Sequence, residues 1–125
     1  MKLRTTAGSI RLRLAQKDVR TFSETGRVEE RLVINENQRF GYRLVRTDAH
    51  AATVRFERDI LTISVPGNIS DNWISTDQVG IEATCSNSTP EGLALLIEKD
   101  FACLKPRSGD DDLDTFPNPG IAHVC

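Results

Sequence analysis

Aromatic side chains are scarce in this chain of 125 residues, at five Phe, one Tyr and one Trp. The shortage argues against a surface that stacks nucleic-acid bases, and it leaves the core to Val, Ile and Leu. Cysteine is limited to Cys85, Cys103 and Cys125, an odd number that argues against a full disulfide framework. Long apolar runs are missing, and the opening Met1-Lys2-Leu3-Arg4-Thr5-Thr6 lacks the apolar stretch of a signal peptide, so a cytoplasmic protein with no membrane partner is expected. In that compartment thiols stay reduced or bind metal, and the sequons Asn68-Ile69-Ser70 and Asn87-Ser88-Thr89 carry no glycan. No complete catalytic signature is present, which leans the reading away from an enzyme.

Charge is plentiful and unevenly placed. Residues 1–58 carry thirteen Lys and Arg against seven Asp and Glu, while residues 59–125 carry three against eleven, so a net charge of −2 hides two halves of opposite sign. The separation either pairs up within one domain or leaves one basic and one acidic face. A chain of this length buries enough apolar surface to fold as one domain without staples.

Apolar spacing reads mostly as strand. Ile10, Leu12 and Leu14 alternate with Arg11 and Arg13, the period of a half-buried strand whose other face is arginine. Ala15, Val19 and Phe22 fall at helical spacing over 16–25, and Gly26 follows where helices commonly turn left-handed. Strands are expected over 28–34 and 39–46 around the polar turn Asn35-Glu36-Asn37-Gln38, with Phe40, Tyr42 and Leu44 inward and Arg39 and Arg43 outward. A second hairpin spans 52–65, with Ala52, Val54 and Phe56 inward and its reversal at Arg58-Asp59. Ser70 is placed to cap a short helix carrying Trp73 and Ile74. Two last strands, 78–84 with Val79, Ile81 and Ala83 inward and 93–99, flank a loop rich in Ser, Asn and Pro. No internal repeat at a fixed period is visible. The expectation is therefore an α+β single domain over 1–105, a strongly curved antiparallel sheet or partly closed barrel of about seven strands with one or two short helices. Residues 106–125 form an irregular acidic tail with Pro106, Pro117 and Pro119 that docks on this domain through its apolar residues.

Three stretches carry a family resemblance. Met1-Lys2-Leu3-Arg4 with Ser9-Ile10-Arg11-Leu12-Arg13-Leu14, then Gln78-Val79-Gly80-Ile81-Glu82, then Glu98-Lys99-Asp100-Phe101-Ala102-Cys103-Leu104 through Phe116-Pro117-Asn118-Pro119 make the chain resemble a family of short bacterial proteins of unknown function. The likeness covers nearly the whole chain. It implies a stand-alone cytosolic protein and brings no substrate and no mechanism.

Two sets of residues carry chemistry. Cys103, His123 and Cys125 form a three-ligand set that would suit zinc, with Cys85, Asp114 or a water as a fourth ligand, although Cys-x19-His-x-Cys lacks the paired knuckle of a zinc signature. Free thiols and a packed His, or a bond between Cys103 and Cys125, remain the alternatives. The same residues would serve a metal-dependent or thiol enzyme using Cys103 and His123, but the acidic surroundings raise a thiol pKa. The second set is arginine. Arg11, Arg13 and Arg43, with Arg31, Arg39, Arg46 and Arg55, sit on expected strands and could gather into one anion-binding concavity, unless they merely pair with Glu29, Glu30, Glu57 and Glu82. The N-terminus lacks the alternating Glu-x-Glu-x-Lys pattern of triphosphate-tunnel enzymes. The expected activity is binding or interaction, with an unknown protein or a small anionic ligand as partner where the acidic tail meets the basic sheet, and with no specific nucleic acid.

Overall fold

Eight strands and two helices follow one another in the computed structural model, which describes residues 1–85, 92–100 and 116. The order is β1 (Lys2–Thr6), β2 (Ser9–Leu14), α1 (Gln16–Thr25), β3 (Arg27–Asn35), β4 (Gln38–Thr47), β5 (Thr53–Glu57), β6 (Ile60–Pro66), α2 (Gly67–Ser75), β7 (Gly80–Cys85) and β8 (Leu93–Lys99). The class is α+β, as expected, but the strands divide into two four-stranded sheets and no barrel closes. The first sheet runs β1-β2-β8-β7 and the second β3-β4-β6-β5.

Each sheet is two antiparallel hairpins joined down the middle by a parallel pair, β2 beside β8 and β4 beside β6. The expectation of a wholly antiparallel sheet fails here for a simple reason. Parallel neighbours need a long connection, and that connection need not be a single crossover helix when the two hairpins are far apart in sequence. The strand β1 was not expected because Leu3 is its only apolar residue before the turn at Gly8, whose φ of 81° suits glycine.

Local signals explain most elements. Asp18 accepts the Ala15 N–H at 3.1 Å and so closes the first turn of α1, while Gly26 at φ 75° ends it with its N–H on Phe22 O. Arg58 and Asp59 both take positive φ, the geometry of a two-residue hairpin turn that matches strand twist. In α2 the expectation of Ser70 as a cap is corrected. The helix starts at Gly67 with Pro66 before it, and Ser70 lies inside, fully buried, with its hydroxyl donating to Gly67 O at 3.0 Å.

Both sheets turn one face to a single core. Ile10, Leu12, Leu14, Ile81, Leu95 and Ile97 come from the first sheet, Val28, Leu44, Val54, Leu61, Ile63 and Val65 from the second, and Val19, Phe22 and Trp73 from the helices. The helices follow β2 and β6 and so close the end of the molecule where the four central strands finish. The described hairpin turns lie at the other end. There Phe40 and Phe56 stack with ring centroids 6.2 Å apart, and Phe56, expected inward, is 60 % exposed because the second sheet outruns the first.

The chain also carries a structural repeat that residue identity hides. Lys2–Thr6 answers to Thr53–Glu57, Ser9–Leu14 to Ile60–Pro66, and Gln16–Thr25 to Gly67–Ser75, at one constant separation. Each half is hairpin, helix, hairpin, and each hairpin of one half pairs with a hairpin of the other. Of the acidic tail only Phe116 is described. It is half-buried against the core and donates its N–H to Asp100 O at 2.8 Å.

Candidate functional site

Period-two alternation places Lys2 and Arg4 of β1, Arg11 and Arg13 of β2, Leu96 and Glu98 of β8, and Glu82 and Thr84 of β7 on the face of the first sheet that points away from the core. Register brings the cations together, because Lys2 lies opposite Arg13 and Arg4 opposite Arg11. Like charges directly across strands repel, so this hairpin needs counter-charge. One carboxylate supplies most of it. Glu98 Oε1 accepts from Arg11 Nε at 2.7 Å and from Arg13 Nε at 2.8 Å, and Asp100 takes Lys2 at 3.1 Å. Burial pushes the Glu98 carboxyl up, but hydrogen bonds and charge from Arg11 and Arg13 outweigh it and hold it below the usual carboxylate range.

Four cations thus meet two carboxylates, and Arg4, exposed on the edge strand, forms no ion pair among the described residues. Beside them Ser9, Thr84 and Ala94 are small enough to leave a cleft of about 650 Å³ over β2, β8 and β7, bordered by Arg11, Glu82 and Leu96. A smaller hollow of about 110 Å³ lies among Lys2, Leu3, Arg4, Arg11 and Arg13, so Arg11 borders both. A polar end and a partly apolar floor are the parts a small-molecule site requires.

Arg43 sits elsewhere. It belongs to the outward face of the second sheet, opposite Glu29 and Thr62, and its Nε donates to Thr62 Oγ1 at 2.8 Å. Arg27 and Arg31 share Glu29 there, at 3.6 and 3.4 Å, and Arg55 pairs with Glu57 at 3.1 Å. The strand arginines therefore divide between two faces instead of gathering in one concavity. Arg46 is bound to Asp71 at 2.7 Å beside α2.

Cys103, His123 and Cys125 lie outside the described residues. Among the described residues no group of three or more His, Cys, Asp or Glu side chains could hold a metal. Cys85 is free and fully buried, as a small apolar residue would be, and burial raises its thiol pKa. Lys99 is buried as well, as are Asp18, Ser70 and Asp100. Its ammonium donates to Thr76 O at 2.7 Å and lies 5.9 Å from the Trp73 ring and 5.8 Å from the Phe116 ring. Burial lowers its pKa against the opposing charge of Asp77, and its contacts suit packing better than chemistry.

Of the residues that meet on this face, the sequence points to Arg11 and Arg13 as candidates and not to Lys2, Arg4 or Glu98. The signal for Lys2 and Arg4 is their alternation with Leu3, too short to stand out alone. A model of a family of unknown function matches residues 1–120. The chain belongs to that family, DUF7009. No curated protein and no solved structure matches it. Family membership thus accounts for nearly the whole chain, including the stretch from Glu98 to Asp100 that closes the basic face, and it supplies no ligand. Among the described residues no helix is long and apolar enough to cross a membrane.

Proposed function

We propose that the protein binds a small anionic ligand on the outer face of the first sheet, with the charged group held by Lys2, Arg4, Arg11 and Arg13. The observation that carries this reading is the sharing of a single Glu98 oxygen by two guanidinium groups. Both Nε donors are used there, so the forked ends of Arg11 and Arg13 are held in place by a bond that does not consume them. A phosphate or carboxylate accepts from such forks with charge-assisted bonds. The body of the ligand then lies in the cleft over Ala94, Thr84 and Leu96, whose volume suits a small organic molecule.

Glu98 also sets the selectivity. A monoanion gains little against a carboxylate already in place, whereas a group with two negative charges draws on all four cations. Nucleic acid fits poorly, because Glu82 and Glu98 interrupt the basic strip and no aromatic ring lies on this face among the described residues.

Calorimetric titration with inorganic pyrophosphate tests the reading. Saturable binding is expected at low salt, weakened severalfold by Arg4→Ala and by a rise to physiological ionic strength. Arg4 supports no ion pair among the described residues, so this variant keeps the fold. Absence of heat at millimolar pyrophosphate, or identical affinity in the variant, would reject the site.

A further inference from the structure

We propose that two copies of this chain join edge to edge along β3, extending the second sheet across a two-fold axis. β3 is an edge strand of nine residues, and among the described residues it pairs only with β4. The other three edges are short and carry charge: β1 is five residues long with Lys2 and Arg4, β5 is five residues long with Arg55 and Glu57, and β7 is six residues long with Glu82. The far half of β3 has no such protection. Leu32, Val33 and Ile34 are 57 %, 67 % and 59 % exposed, three consecutive apolar side chains showing on both faces of one strand.

The backbone of this edge is oriented for pairing. Arg46 donates its N–H to Gly26 O at 2.9 Å, and antiparallel bonding alternates from there, so Val28, Glu30 and Leu32 turn their peptide groups toward β4. Glu29, Arg31 and Val33 turn theirs outward. An added strand would therefore find donors and acceptors at those three residues.

The occupant that fits is a second copy. An antiparallel two-fold passing through Leu32 sets Leu32 against the partner's Leu32 and Arg31 against the partner's Val33, with no like charges facing. An axis at Glu30 or Arg31 would set equal charges face to face. Phe40, opposite Leu32 on β4, extends the apolar contact on the same face. The irregularity between Val33 and Asn35 ends the pairing at the strand's tip and favours a closed pair over an open fibre.

Sedimentation of the full chain gives the first test. At about 100 μM it is expected at twice the monomer mass of 13.9 kDa, and the double variant Leu32→Lys with Val33→Pro at the monomer mass with an unchanged far-UV spectrum. Proline removes an outward N–H and leaves the ladder to β4 intact. A wild-type monomer at that concentration, or a folded double variant that remains dimeric, overturns the proposal. Hydrogen exchange on the wild type needs no variant. Amides of Glu29, Arg31 and Val33 are expected to exchange at least tenfold faster after dilution to a monomer, and equal rates at both concentrations overturn the proposal as well.

Discussion

The elements β1 to β4 with α1 and β5 to β8 with α2 follow the same order and arrangement, and what they have in common lies inside. Ile10, Leu12 and Leu14 of β2 answer to Leu61, Ile63 and Val65 of β6, and Phe22 of α1 answers to Trp73 of α2, all inside one core. Outside they part. Lys2, Arg4, Arg11 and Arg13 on the first hairpin correspond to Thr53, Arg55, Thr62 and Ser64 on the third, so four cations become one cation and three hydroxyls. Burial thus explains what is common to the halves, while charge on the exposed positions separates a basic hairpin from a nearly neutral one. The difference locates the candidate site more sharply than total charge does, because the same scaffold appears with it and without it.

The largest expected effect tests the common interior. Phe22→Ala and Trp73→Ala should each cost about 3–5 kcal/mol in chemical denaturation, since both rings are buried and the chain is too close-packed to refill the space. Trp73 should sit at the upper end. Its Nε1 donates to Val79 O at 3.1 Å, and the variant would lose that bond, leaving the carbonyl to the Lys99 N–H at 3.0 Å alone. A cost below about 1 kcal/mol at either ring would break the idea that the halves bear equal structural weight.

A middle effect sharpens the outer difference. Replacing Arg11 by Thr and Arg13 by Ser copies the residues of β6 onto β2, and pyrophosphate affinity should fall at least tenfold. Stability at pH 7 should fall by about 1–3 kcal/mol, because Glu98 loses two charge-assisted bonds in a largely buried position. The pH dependence has a definite sign. A carboxyl held low in the folded state contributes stability that is present above its unfolded pKa and disappears as pH falls through the folded value. The wild type should therefore lose stability on acidification over that range more steeply than Glu98→Gln, as read from melting temperature against pH. Parallel curves would remove Glu98 from the account.

Much of this arrangement is legible in the residues, and the part that is not has a physical cause. The spacing of Val19 and Phe22 before Gly26 marks α1 to the residue, and Arg58-Asp59 marks its hairpin, because periodicity and turn chemistry act over a few residues. Pairing between β2 and β8 is not local at all. Nothing near Arg13 announces that Glu98 lies beside it, and the stripe of Arg43 looks the same as that of Arg11 although the two belong to different sheets. Val79 was expected inward and is 41 % exposed, since β7 begins one residue later at Gly80. The repeat escapes detection for a related reason: Phe22 answers to Trp73 and Val19 to Ser70, so burial is retained while residue identity, size and polarity are not.

The smallest expected effect separates the two faces most cleanly. Arg4 and Arg55 occupy equivalent positions on edge strands, but Arg4 stands beside three other cations, whereas Arg55 pairs with Glu57 at 3.1 Å in an exposed setting. Surface pairs of that kind contribute little, because water screens them and both side chains lose freedom in meeting. Arg55→Ala should shift stability by no more than about 0.5 kcal/mol and leave pyrophosphate affinity unchanged. Arg4→Ala should be equally mild in stability and differ only in affinity. If both variants weaken pyrophosphate binding to the same degree, the ligand responds to the protein's total charge, and the cluster on the first hairpin has no special claim to it.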